Sequence, residues 1–254
     1  MAAQRSLLIG GLHAARTALA RAGGDILELW LRRDRDADPL RDIEASARTL
    51  GVSVQLADVA TLDRLYGDPH HQGVVLRRRP PPLVELKGLL ARVAAAARVP
   101  LLLVLDNVQD PRNFGACLRA ADGAGVDGVI FPRDHSARLT NVVAKTASGA
   151  LDSVALVAVA NLAGALKQLS AAGVWTVGAA HDGTVSLYEV DLTLPTAVVL
   201  GNEGEGLRHL TRERCDRLAH IPMHGEVSSL NVATATAVCL FEARRQRAGP
   251  TCGG

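Results

Sequence analysis

Aromatic residues are scarce in this chain, 3% of 254 positions, while 48% are hydrophobic and 21% charged. That balance excludes a disordered or fibrous chain and fits an Ala/Val/Leu-rich α/β protein with enough apolar surface for a packed core. Charge of one sign is lacking too, since 28 Lys and Arg stand against 26 Asp and Glu, a net +2. Affinity for nucleic acid must then come from local basic patches, not from a global field. Cys117, Cys215, Cys239 and Cys252 are far apart, with no C-x-x-C pair and no histidine at ligand spacing. Disulfides and structural zinc are therefore not expected. No stretch reaches the roughly 18 apolar residues of a membrane span, and the N-terminal segment has only a short apolar run. The chain reads as cytoplasmic, with no membrane partner.

The length suits two domains, because single cores stop growing at about 250 to 300 residues. Residues 1–78 alternate helix-like and strand-like segments: HAARTALARAG, ILELWLR, PLRDIEASARTL, VSVQLAD, ATLDRLYG and GVVLRR. This predicts a small α/β module. Arg77-Arg78-Arg79-Pro80-Pro81-Pro82 then joins a charge run to a proline run that cannot propagate a helix or a central strand. It reads as the interdomain linker. The expected boundaries are 1–78 for the first domain, 79–98 for a linker and leading helix, and 99–254 for the second domain. Beyond the linker, continuous apolar runs alternate with helical segments: 101–106, 128–131, 153–157, 174–179, 197–201 and 218–222. Such a pattern predicts a parallel sheet covered on both faces. Ligands of such sheets bind beyond the carboxyl ends of the strands.

Three segments at those ends could carry chemistry. In LDNVQDPRNFGACLRAAD (105–122) a strand ends in a polar loop and a helix begins near Asn113, with Arg119 less than two turns further on. An amide and a guanidinium there could position a ribose and its phosphate; equally, Asn113 could cap the helix and Arg119 be a solvated side chain. In AVVLGNEGEGLRHL (197–210) a buried strand runs into Gly201-Asn202-Glu203-Gly204-Glu205-Gly206, where backbone can approach a ligand closely. Two carboxylates suit a neutral or cationic ligand better than a pyrophosphate, although a tight turn with Glu capping the helix would look the same. In LAHIPMHGEVSSLNVATATAVCLFEARRQR (218–247) Ser228, Ser229 and Asn231 open a long terminal helix, where Ser and Asn are ordinary caps. Capping leaves the small-residue face of Ala233, Ala235 and Ala237 unexplained.

Two decoys fall away. Gly123-x-Gly125-x-x-Gly128 matches a dinucleotide fingerprint by letter but follows a helix and precedes a strand, the reverse of what that motif needs, which argues against a nucleotide-dependent dehydrogenase. No G-x-S-x-G elbow exists for serine chemistry. His70 and His71 form no ligand cluster and read as a loop or an RNA-facing surface.

Taken together and in this order, DPRNFGACLRAAD, VVLGNEGEG and IPMHGEVSSLNVATATAVCLFEA closely resemble the three motifs of the SpoU/TrmH group of the SPOUT superfamily, RNA ribose 2′-O-methyltransferases. GLHAARTAL and HHQGVV extend the likeness toward the branch that methylates guanosine in bacterial 23S ribosomal RNA. The resemblance implies an N-terminal α/β RNA-binding domain and a catalytic domain with a mainly parallel sheet ending in a trefoil knot, against the general rule that chains are unknotted. It further implies a homodimer, S-adenosylmethionine as methyl donor, no metal, and RNA and not DNA as partner. By the same resemblance the catalytic candidates are Asn113, Arg119, Glu203, Ser229 and Asn231. Leu200, Gly201, Ile221, Met223 and Leu230 would hold the cofactor. One departure is Ala233, where the group commonly has Ser. A transfer-RNA ribose methyltransferase and a non-catalytic RNA-binding assembly factor are the alternative readings.

Overall fold

The computed structural model describes residues 6–34 and 38–248; Cys252 lies outside them. In chain order the elements are β1 (Leu7–Gly10), α1 (Leu12–Ala22), β2 (Ile26–Arg32), α2 (Asp38–Thr49), β3 (Ser53–Ala57), α3 (Val59–Tyr66), β4 (Val74–Arg78), α4 (Leu86–Ala95), β5 (Leu101–Leu105), α5 (Pro111–Gly123), β6 (Gly128–Pro132) and α6 (Asn141–Ala147). There follow β7 (Ala155–Val159), α7 (Leu162–Ala171), β8 (Trp175–Ala179), β9 (Val185–Ser186), β10 (Thr196–Leu200), α8 (His209–Arg214), β11 (Arg217–His220) and α9 (Val232–Arg247). They form two compact units. The first comprises residues 1–82 with 138–153, and the second residues 83–137 with 154–254. Residues 138–153, which the sequence reading placed in the second domain, thus pack with the first unit.

The first unit holds a four-stranded sheet in the order β1-β4-β2-β3. Strand β1 was too short an apolar run to be expected; it pairs antiparallel with β4. The alternation of β2 buries Leu29 and Leu31 completely, while Trp30 stays part-exposed, the period-2 pattern of a half-solvated strand. Asp58 caps α3 by accepting the Thr61 N–H at 2.7 Å, and Gly67 ends it at φ 76°, a left-handed conformation that glycine adopts without strain. Two expectations are corrected here. Arg77 and Arg78 are the end of β4 and not linker: Arg77 pairs with Glu28 at 2.8 Å and lies over the Trp30 ring, and Arg78 is buried in an ion pair with Asp152. His71 is also no surface residue. It is 2% exposed; its Nδ1 accepts the Gly73 N–H at 3.0 Å, which leaves Nε2 to donate to Asp63 Oδ1 at 3.0 Å. His70, by contrast, is exposed beside Asp68.

The second unit is built on seven strands, all parallel, in the order β7-β6-β5-β10-β8-β11-β9. Every residue of β5, β6 and β10 is buried, as continuous apolar strands covered on both faces must be. Alternation divides their side chains between two layers. Leu102, Val104 and Val199 meet Leu89 of α4 and Leu166 and Leu169 of α7, whereas Phe131 of β6 meets Phe114 of α5 edge to face, ring centroids 5.1 Å apart. Helices α5 and α9 pack on each other, with Thr236 Oγ1, which donates to the Val232 carbonyl at 2.7 Å, lying 3.3 Å from Cys117 Sγ. All six expected strands are present, displaced by up to two residues at their ends. The seventh, β9, has only two residues and left no periodic trace. The polar segments after β5, β10 and β11 therefore lie at one edge of the sheet.

Candidate active site

At the end of β5, Asp106 is fully buried. Its carboxylate accepts the Arg208 backbone N–H at 2.9 Å and Nε at 2.6 Å, tying the segment after β10 to its neighbouring strand. Between them the chain makes a tight loop. Asn202 and Gly206 exchange backbone hydrogen bonds of 3.2 and 3.1 Å, and Asn202 Oδ1 accepts the N–H groups of Gly204 at 3.0 Å and Glu205 at 2.6 Å. A Cβ on Gly201 would collide with the Gly206 backbone, so only glycine lets this loop close.

Helix α5 begins two residues earlier than expected. Asp110 is its cap, accepting from Arg112 N at 2.9 Å and Asn113 N at 2.8 Å, with Pro111 in the first turn. The Asp-Pro pair is thus a cap followed by a proline whose missing N–H costs nothing there. Asn113 is relieved of capping, and its Nδ2 donates to Glu203 Oε1 at 2.9 Å. Asn231 does cap α9, its Oδ1 accepting from Ala233 N at 2.9 Å and Thr234 N at 3.3 Å. The same side chain uses its Nδ2 to reach Asn113 Oδ1 at 3.0 Å and Glu203 Oε1. Glu203 Oε1 also faces the Val232 N–H at 3.4 Å. Capping α9 thus leaves the Nδ2 of Asn231 available to Asn113 and Glu203, because an amide carries an acceptor and donors at once.

Through Glu203 this triangle reaches a cavity of about 320 Å³, within the roughly 300 to 1,000 Å³ usual for small-molecule sites, while Asn113 and Asn231 stand behind Glu203 and do not line it. Leu200, Gly201, Ile221, Met223 and Leu230 all line it, as do Glu203 and Ser229. Arg119 stands apart: it is exposed on α5 and, among the described residues, its guanidinium has no hydrogen-bond or ion-pair partner. The sequence reading missed Arg212, which lines the cavity and grips Asp182 through two bonds of 2.8 Å. That hydrogen bonding holds the Asp182 carboxyl below the usual carboxylate range. It also missed Asp106 and Arg208, because a carboxylate at a strand end gives no sign of its distant partner. Among the described residues no cysteine lines the cavity. Burial pushes Cys117, Cys215 and Cys239 up to about 12, so they remain protonated at neutral pH. Among the described residues no group of three or more His, Cys, Asp or Glu could hold a metal ion.

A backbone-rich cavity with apolar walls and two carboxylates, at the carboxyl edge of a parallel sheet, defines a site for a neutral or cationic small molecule beside a polar triangle. The chain belongs to the SpoU rRNA methylase family, whose model matches residues 100–241. Residues 8–84 match the family described as RNA 2′-O ribose methyltransferase substrate binding. The 23S rRNA (guanosine-2′-O-)-methyltransferase RlmB of Shewanella oneidensis is 45% identical over 243 residues, covering 94% of this chain and 97% of that one. Among solved structures, the SpoU methyltransferase AviRb of Streptomyces viridochromogenes in complex with AdoMet is 27% identical with a TM-score of 0.78, covering 96% and 91% of the two chains. The TrmH/SpoU tRNA modifying enzyme of A. aeolicus, at 31% identity and a TM-score of 0.54, covers 64% of this chain and 84% of that one.

Proposed function

We propose that the chain transfers the methyl group of S-adenosylmethionine to the ribose 2′-hydroxyl of a guanosine in 23S ribosomal RNA. The observation that carries this is the Asn113–Glu203–Asn231 triangle beside a cavity whose walls suit a sulfonium-bearing adenosine derivative: apolar side chains, close backbone at Gly201 and carboxylates at Glu203 and Glu205. The relatives named for 23S rRNA match nearly the whole chain, whereas the tRNA-modifying structure covers about two thirds of it. Full-length likeness favours the ribosomal substrate.

Bound S-adenosylmethionine would supply a methyl group already activated for transfer, so the protein's main task is alignment. Leu200, Gly201, Ile221, Met223 and Leu230 hold the donor. Glu203, with one oxygen shared among three donors, positions the amides of Asn113 and Asn231. Arg119 keeps its planar fork open to clamp a phosphate of the target nucleotide. Its charge also stabilises the negative charge that develops on the 2′-oxygen as the hydroxyl proton passes to solvent water. Ser229, on the cavity wall, is a further polar contact for the substrates, and Ala233 makes a hydroxyl at its own position dispensable. The first unit recruits RNA. The insertion of β11 between β8 and β9 supports a trefoil knot in the second unit, and the half-exposed Phe241 on α9 supports a homodimer. The protein works in the cytoplasm. Mapping ribose methylation in ribosomal and transfer RNA from a deletion strain and its parent tests the proposal: one 23S guanosine should lose its methyl group, and an unchanged map would overturn it.

A further inference from the structure

The second unit has another cavity at the same sheet edge, of about 580 Å³, beyond the ends of β6 and β7. Its walls include Asp134, His135, Leu162, Arg208, His209 and Leu210. Helix α8 and the residue before it separate it from the donor cavity: Arg212 lines the first, while residues 208 to 211 line the second. Nothing in the proposed methyl transfer uses this space.

Its chemistry is specific. Asp106 holds Arg208 by its backbone N–H and Nε, so the guanidinium is anchored on one side. Nη1 and Nη2 have no partner among the described residues, and the side chain is 37% exposed. Two parallel donors are therefore presented from a fixed support. Asp134, exposed on the same cavity, offers two acceptors. Leu162 and Leu210 provide apolar wall, and the imidazoles of His135 and His209 provide flat faces for stacking.

An acidic fork and a basic fork in one slot fit poorly to a phosphate, which the carboxylate would repel. They fit an unpaired guanine. A carboxylate can accept from its N1–H and N2–H₂, and paired guanidinium donors match its O6 and N7 acceptors. Single-stranded RNA is read in this way, by splayed bases stacked on side chains and bonded along their edges. Adenine presents its donors and acceptors differently and would leave one fork unmatched.

We propose that this second cavity binds an unpaired guanine base of the RNA substrate. The inference rests on RNA being the substrate. The test uses the full-length protein and 5′-GMP, AMP, CMP and UMP as probes, followed by NMR of the histidine ring signals. GMP should shift the His135 and His209 signals and bind at least about tenfold tighter than AMP. Asp134→Asn, which replaces two acceptors by one acceptor and an NH₂ that meets the guanine donors, should abolish that preference. It should also raise KM for a 23S rRNA fragment about tenfold, with the loss in KM and not in kcat, and leave S-adenosylmethionine affinity unchanged. Equal binding of GMP and AMP, or a GMP preference that survives Asp134→Asn, would overturn the proposal. A chain without methyltransferase activity would instead refute the reading of the catalytic site, and the nucleotide titration would still decide this one.

Discussion

Asp106 holds Arg208 twice across 102 residues, through the backbone N–H at 2.9 Å and through Nε at 2.6 Å. The carboxylate is wholly buried and the arginine 37% exposed, so the contact works as a clasp on the loop 201–207 more than as a surface ion pair. Both proposed binding cavities depend on it, since the loop lines one and Arg208 the other. Asp106→Ala should release the loop and leave the Arg208 amide without its acceptor. We expect a stability loss of about 1 to 3 kcal/mol, the scale for stranding a partly buried donor, seen in urea unfolding. Weaker S-adenosylmethionine binding by calorimetry should accompany it. A variant with wild-type cofactor affinity would show that the loop holds its shape unaided.

Two glycines in that loop should behave oppositely. A Cβ at Gly201 meets the Gly206 backbone, whereas the nearest atom to one at Gly204 is Asn202 Oδ1 at 3.9 Å. Gly201→Ala should therefore lose cofactor binding, while Gly204→Ala binds within about twofold of the parent. Similar affinities for the two variants in a calorimetric titration would contradict the close approach at Gly201.

How much of this was readable beforehand follows from the range of each interaction. The strands β5, β6 and β10 were legible because burial on both faces writes itself as an unbroken apolar run. The three loops were legible by their polar and glycine-rich composition, and Asn113, Glu203 and Asn231 do meet. Local chemistry was misjudged at Asp110, where the cap stands three residues before the amide that seemed to supply it. Non-local pairing left no signal at all: nothing about His71 announces Asp63 and the Gly73 amide, and nothing about Arg78 announces Asp152. Strand β9 is too short for any period to show.

Asn231 serves a helix and a site at once, and a substitution can separate the two. Asn231→Asp keeps the oxygen that caps α9 but replaces the Nδ2 donor by a carboxylate oxygen facing Glu203 Oε1. Activity should fall at least about tenfold in single turnover, while the melting temperature stays near that of the parent. Asn231→Ala should lose activity and also about 1 kcal/mol of stability, the usual worth of such a cap. Full turnover in the Asp variant would remove the triangle from the mechanism.

The Asp182–Arg212 grip predicts a pH dependence with a defined sign. Hydrogen bonding from Arg212 lowers the Asp182 pKa in the folded state. Its stabilisation is thus fully present above the ordinary carboxylate value of about 3.9 and is lost as pH falls through the lower folded value. The difference in melting temperature between the parent and Asp182→Asn should stay constant from about pH 8 to 5 and shrink only below about 4. A difference that changes near neutral pH would assign the effect to another group.

The last prediction concerns where the first unit ends. Arg78 is 1% exposed and its ion-pair partner, Asp152, comes from residues 138–153. The same segment supplies Asn141, whose Oδ1 accepts the Leu8 N–H of β1 at 2.9 Å, and Lys145, which pairs with Asp68. A fragment of residues 1–82 therefore keeps the whole four-stranded sheet yet loses the Asp152 carboxylate that pairs with the Arg78 guanidinium. Breaking a buried pair in this way costs about 3 to 5 kcal/mol, a large share of the roughly 5 to 15 kcal/mol that holds a domain together. The fragment should be largely unfolded by circular dichroism and NMR dispersion at 25 °C. Arg78→Met, which removes the stranded charge while keeping an apolar stem, should fold the fragment better but destabilise the full-length chain, where it deprives Asp152 of its partner. That reversal of sign between fragment and full chain is the outcome that matters. If Arg78→Met shifts both urea midpoints in the same direction, the ion pair does not set the limits of the first unit.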